Sequence, residues 1–206
     1  MTGQDPLRWD RRYSTETYAF GTEPNDFLVE VAPLIPLGRV LCLAEGEGRN
    51  AVWLAAKGYE VTAVDASAPG LAKAEALARA RGVRIAAVKT DLADCVIRPG
   101  SWAGIVAIFA HLPPQLRRSV HRAAAKGLVP GGVFVLEAFT PAQVACGTGG
   151  PSQPELLYRL GDLIDDLEGL ELVIGRELER ELLEGVYHTG RSAVVQVLAR
   201  RRESGA

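Results

Sequence analysis

An apolar run that breaks into a Gly-x-Gly turn constrains this chain more than any other feature. Val40-Leu41-Cys42-Leu43-Ala44 leads into Glu45-Gly46-Glu47-Gly48-Arg49-Asn50-Ala51, and helix-spaced apolar residues follow at Val52, Leu54 and Ala55. A second apolar run, Val61 to Val64, ends on Asp65. The order is strand, glycine turn, helix, strand, acid. Glycines allow positive φ and a close approach of a ligand to the backbone. The turn delivers that ligand to a helix N-terminus, whose free N–H groups favour negative charge. Asp65 stands about 20 residues past Gly46, the spacing at which an acid grips a ribose diol. The stretch therefore reads as a cradle for an adenosine-type cofactor. A lone glycine pattern of this kind is a weak signal and does not say which cofactor.

The rest of the chain repeats the alternation. Ser67 is placed to cap a helix with Pro69 in its first turn, running to Arg81 before Gly82. A third strand is expected over 83–88, leading into Asp91-Leu92, and a fourth over 104–109, leading into Ala110-His111-Leu112. Pro113-Pro114 opens a helix over 115–126; Leu128 to Gly132 reads as a turn, and 133–139 as a fifth strand. Strands alternating with helices imply a parallel sheet with right-handed crossovers. A loop over 140–154 and a helix over 155–168 come next. The runs 171–183 and 192–200 have only a turn between them, so they must pair as an antiparallel hairpin. The expected fold is α/β: a doubly wound, mostly parallel seven-stranded sheet with one antiparallel strand. Residues 1–206 read as a single domain, with 1–36 as an N-terminal helical lid carrying Trp9, Tyr13 and Tyr18.

Composition excludes several partners. A net charge of −2 and a pI near 6.0 give no basic patch for nucleic acid. No apolar run approaches the ~20 residues of a membrane span. The three cysteines, Cys42, Cys95 and Cys146, have no metal-ligand spacing, so no metal site is expected, and they fit a reducing cytoplasm.

Three features bear on the cofactor. The terminal hairpin departs from the two parallel mononucleotide halves of a dehydrogenase. Asp91-Leu92 puts a carboxylate and an apolar side chain where an adenine could lie. Glu45 and Glu47 make the turn repel a pyrophosphate and favour a cationic ligand.

Taken together, these residues resemble class I S-adenosylmethionine-dependent methyltransferases of the Rossmann-like fold. The matching segments are Leu41 to Gly48, Val64-Asp65, Asp91-Leu92, Leu128-Val129-Pro130-Gly131-Gly132 and the hairpin. Trp9-Asp10-Arg11-Arg12-Tyr13, Tyr18 to Asn25 and Glu47 to Ala51 look like the tellurite-resistance/thiopurine methyltransferase-like branch. The sequence departs from that pattern at Cys42 and Ala44, where the family carries an acid and a glycine. The resemblance implies S-adenosylmethionine bound by Ala44, Glu45, Gly46, Glu47, Gly48 and Asn50, by Asp65, Ala66, Asp91 and Leu92, and by Phe109.

The expected activity is methyl transfer to a small-molecule acceptor, a thiol or metalloid oxyanion among the candidates, by a monomer or homodimer. His111, at the end of the fourth strand, is the candidate catalytic base or a packing residue. Trp9, Tyr13, Tyr18, Arg49, Glu137 and His188 are the candidate acceptor contacts. An NAD-dependent oxidoreductase and a non-catalytic S-adenosylmethionine-binding protein are the alternatives.

Overall fold

The computed structural model describes residues 7–203. The expected start of the first helix at Pro6, and the outermost residues of the expected lid, lie outside them. Seven strands form one sheet in the order β3-β2-β1-β4-β5-β7-β6. They are β1 (Arg39–Leu43), β2 (Glu60–Asp65), β3 (Ala86–Lys89), β4 (Trp102–Ile108), β5 (Leu128–Phe139), β6 (Leu170–Glu184) and β7 (His188–Arg201). The pairs from β3 through β5 are parallel, whereas β7 runs antiparallel to both β5 and β6. This is the expected sheet with its single reversed strand. The chain order reverses between β1 and β4, and such a switch opens a crevice at the carboxyl ends of the strands.

Alternation along the strands sorts the core into two faces. Leu41, Ile105, Phe134 and Val197 pack on one side, together with Val120 and Ala124 of α5 (Pro114–Gly127) and Leu163 of α7 (Leu160–Asp166). Val40, Cys42, Val106 and Val135 pack on the other. There they meet α2 (Asp26–Val31), α3 (Arg49–Ala56) and α4 (Ala68–Ala80). Burial on both faces explains why the strands read as continuous apolar runs. Ser67 caps α4 by accepting the Gly70 N–H, as expected.

Four local expectations change. Helix α2 buries Phe27, Leu28 and Val31 in the core, so among the described residues of the 1–36 segment it is α1 (Arg8–Tyr13) and Phe20-Gly21 that line the crevice. β3 is short, starting at Ala86. Leu128 already pairs with Trp102, which draws the expected turn into β5 through a register shift. The expected helix over 155–168 is split into a short turn (Pro154–Leu156) and α7. The break is tertiary. Tyr158 donates its N–H to the Phe139 carbonyl, and its hydroxyl donates to the Ala110 carbonyl and accepts from the Leu112 N–H, both at 2.7 Å.

A buried polar network ties the hairpin to the sheet. Glu137 of β5 is fully buried, and its carboxylate accepts from Arg180 Nη2 (2.6 Å), Gln196 Nε2 (2.5 Å) and Asn25 Nδ2 (3.1 Å). Glu184 accepts from Arg49 Nη2 (2.6 Å) and from the same Asn25 amide (2.8 Å). Asn25 also caps α2 by accepting the Leu28 N–H. A buried carboxylate left without its partner is strongly unfavourable, whereas a satisfied network specifies one arrangement.

Two outcomes follow. Arg180→Ala, which strands Glu137, should lower unfolding free energy by about 3 kcal/mol or more in urea titration. Burial raises the Glu184 carboxyl, but His188, Arg49 and Asn25 outweigh it and bring its pKa down from 4.5 to about 2. A depressed carboxyl stabilises the fold above its unfolded pKa and loses that contribution as pH falls through the folded one. Stability should therefore drop between about pH 4.5 and about pH 2, and Glu184→Gln should flatten that part of the profile.

Candidate active site

The crevice at the switch point holds a cavity of about 460 Å³. Its floor is the carboxyl ends of β1, β2, β4 and β5; α1, Gly149-Gly150-Pro151 and the hairpin turn at Tyr187-His188 form its cover. Two of its floor residues, Ala44 (φ 50°) and Phe109 (φ 53°), adopt left-handed backbone without being glycine. Such conformations cost roughly 1–2 kcal/mol each and persist only where the surroundings impose them.

The glycine turn is held by carboxylates. Asp65 Oδ2 accepts the Gly46 N–H at 2.8 Å, and Oδ1 accepts the Ser67 N–H at 2.8 Å. Burial raises the Asp65 pKa against those two hydrogen bonds. Gly48 precedes α3 without a side-chain cap. Glu45 fills that role from upstream, its Oε1 accepting the Asn50 and Ala51 N–H groups at 2.9 and 2.8 Å. Burial lifts the Glu45 pKa to about 7, against those hydrogen bonds and the Arg49 charge. Glu45 thus orients the loop in a chain whose position 42 is an uncharged, fully buried cysteine. The glycines are required: a Cβ on Gly48 (φ 88°) would sit 2.5 Å from the Ala74 Cβ. One on Gly46 (φ 59°) would sit 2.6 Å from the Tyr13 hydroxyl.

Most sequence-expected residues converge on the cavity. Ala44, Glu45, Asn50, Asp65, Ala66 and Phe109 line it, as do Asp91 and Leu92, and so do Trp9, Tyr13, His111 and His188. Gly46 and Gly48 lie behind the turn, packed by Tyr13 and Ala74. Four expectations are corrected. Glu47 reaches the wall, but its carboxylate pairs with Lys73 Nζ (2.5 Å) and accepts the Ala19 N–H (2.7 Å), so it anchors the cover instead of offering a free charge. Arg49 lines the cavity as expected, but it is mostly buried and ion-paired with Glu184, so its charge is already partnered. Glu137 faces its own buried partners and not the cavity. Tyr18 turns to α4, where its hydroxyl donates to the Lys73 carbonyl.

The part of the cavity around His188 and His111 is aromatic. His188 packs against Phe20 (4.5 Å between ring centroids), Phe109 (4.6 Å) and Phe139 (5.1 Å). His111 stacks on Phe139 at 5.5 Å. Its Nδ1 lies 2.7 Å from the Leu156 carbonyl, which can only accept, so Nδ1 carries the proton. Its Nε2 accepts from the Phe139 N–H at 3.5 Å. Burial lowers its pKa to about 4, so the ring is neutral. His188 differs: its Nδ1 faces Glu184 Oε2 at 3.7 Å. Burial lowers its pKa too, against the pull of Glu184.

Sequence reasoning passed over Phe20, Arg8, Arg12, Glu184 and Tyr158. Arg8 and Arg12 stand one helical turn apart, each one residue ahead of Trp9 and Tyr13, a spacing that could have placed them on the same cover. Glu184 carried no signal, because its partners Asn25 and Arg49 are distant in sequence. Among the described residues there is no cluster of His, Cys, Asp or Glu that could hold a metal ion, and no helix long and apolar enough to cross a membrane.

Residues 40–132 match a family model described as a methyltransferase domain. No curated protein matches the sequence. Solved structures share the architecture at low identity. TehB from Haemophilus influenzae is 19% identical with a TM-score of 0.71, over 96% of this chain and 67% of that one. An S-adenosylmethionine-dependent methyltransferase from Clostridium acetobutylicum gives 17% and 0.65, over 86% and 90%. A protein solved for the conversion of a disulfide bond into a thioacetal group during echinomycin biosynthesis gives 18% and 0.76, over 98% and 91%. Residues 40–132 thus match a methyltransferase-domain model, and the chain shares the Rossmann-like fold of solved methyltransferases.

Proposed function

We propose that the protein transfers a methyl group from S-adenosylmethionine to a small-molecule acceptor. One observation carries this reading: Asp65, Asp91-Leu92 and the Glu45–Gly48 turn converge on one cavity at the switch point. The donor set fits the cofactor. Asp65 would hold the ribose hydroxyls, with its backbone bonds fixing the carboxylate. Asp91 accepts the Ala93 N–H through Oδ1 and would take the adenine amino group, while Leu92 packs on the ring. Ala44, Gly46 and Gly48 would shape the turn around the methionyl end. Ala66, Asn50 and Phe109 would complete the surface, and Glu45 would face the cationic portion.

When bound, S-adenosylmethionine supplies an electrophilic methyl on sulfur, so the protein's work is positioning, desolvation and proton removal. Trp9 and Tyr13 cover the cavity. His111 serves as a wall contact to the acceptor, since both its nitrogens already have protein partners. His188 is the better base. Glu184 Oε2 faces Nδ1 at 3.7 Å, and Nε2 would take a proton from an amine, hydroxyl or thiol. Thiols and metalloid oxyanions, which need little base, are acceptors to test alongside these, as the tellurite-resistance/thiopurine methyltransferase-like resemblance implies. A cytoplasmic setting and a monomeric or homodimeric state accompany the reading.

Titration calorimetry tests the cofactor. S-adenosylhomocysteine should bind and NAD should not; Asp65→Ala should weaken the former by about 10–100-fold, the worth of hydrogen bonds to a charged group. NAD binding without S-adenosylhomocysteine binding would refute the assignment. A second outcome concerns Glu45. It titrates near pH 7, and a bound cation lowers a carboxyl pKa. Binding of S-adenosylmethionine near neutral pH should release protons, seen as a dependence of the heat on buffer ionisation. Glu45→Gln should remove that release.

A further inference from the structure

Charged groups of both signs line the cavity. Glu45, Asp65 and Asp91 lie at the end proposed for the cofactor. Glu184, beside His188, is occupied by Arg49, Arg180 and Asn25. Arg8 and Arg12 also line the cavity, and neither forms an ion pair with a carboxylate among the described residues.

Arg12 is also fixed in place. Its guanidinium lies over the Tyr187 ring at 4.2 Å and over Trp9 at 5.3 Å. Arg8 lies over the same Trp9 ring at 5.6 Å. A guanidinium stacked on rings keeps its N–H donors free in its own plane, the geometry that meets a carboxylate bidentately. From Tyr187 a row of rings continues inward: Phe20 at 6.0 Å from Tyr187, then His188 at 4.5 Å from Phe20. Beyond His188 lie Phe109 and Phe139. The row ends beside the neutral imidazoles, and the two arginines stand at its outer end.

We infer that the acceptor is a small flat aromatic molecule bearing an oxyanion such as a carboxylate, with its ring in this row and its anion on Arg12 and Arg8. The inference rests on the proposed cofactor reading, which assigns the acidic end of the cavity to the methyl donor. The same arrangement disfavours a cationic acceptor: the two arginines repel it, and the one nearby carboxylate is already shared among three donors.

The test uses the full chain and three probes of similar size that carry a negative, a neutral and a positive group: 4-hydroxybenzoate, 4-hydroxybenzyl alcohol and 4-hydroxybenzylamine. Each is titrated by calorimetry with and without saturating S-adenosylhomocysteine. The benzoate should bind at least about tenfold more tightly than the other two, the worth of one good charge-assisted contact. Arg12→Gln should reduce it to the level of the alcohol, and Arg8→Gln should weaken it less. Equal affinities, a preference for the amine, no measurable binding of any probe, or an anion preference that survives Arg12→Gln would each overturn the inference while leaving the cofactor reading intact. Failure of S-adenosylhomocysteine itself to bind would overturn both, and is read separately in its own titration.

Discussion

The hydrogen bond from Gly46 N–H to the Asp65 carboxylate is the constraint on which the site depends. It joins the end of β1 to the end of β2 and fixes the turn between β1 and α3. Glu45 does the complementary job on the far side by accepting the first free N–H groups of α3. Together the two carboxylates satisfy backbone donors that no other side chain reaches, and they hold Ala44 in a left-handed conformation that alanine resists. The floor is therefore pre-organised: the proposed ribose acid is already aimed, and the turn does not have to order itself on binding.

The cover is attached by the same logic, with charge in place of backbone. Glu47 reaches back to Ala19 and Lys73, so the glycine turn grips the segment that carries Trp9 and Tyr13. Asn25 binds both Glu137 and Glu184, and Asn50 accepts the Asn25 N–H. The N-terminal segment, α3 and the hairpin thus share one network. Glu184 belongs to it and also stands beside His188, so proposed proton removal and fold stability draw on the same carboxylate.

The fold was legible because its signals are local. Two-sided strands read as apolar runs, Ser67 and Gly82 mark helix ends, and the short link between β6 and β7 leaves room only for a hairpin. The convergence of Asp65 and Asp91 on the cavity was legible for the same reason: both stand at or just past the ends of their strands in sequence. The polar partners of Arg49 and Glu137 were not. Arg49 and Glu137 look like free polar groups in a string of letters, and only the distant Glu184 and Arg180 show that both are buried partners. The helix expected over 155–168 failed through a contact equally remote, the Tyr158 hydroxyl bridging the backbone on either side of His111. His111 itself stood out by position, yet the Leu156 carbonyl that occupies its Nδ1 lies 45 residues away.

The most direct measurement is a crystal structure of the full chain with S-adenosylhomocysteine bound. The ribose hydroxyls should lie within hydrogen-bond distance of the Asp65 carboxylate and the adenine beside Asp91 and Leu92, with the sulfur directed toward Phe109 and His188. A ligand bound with its ribose away from Asp65, or outside the cavity at the β1–β4 switch point, would contradict the account.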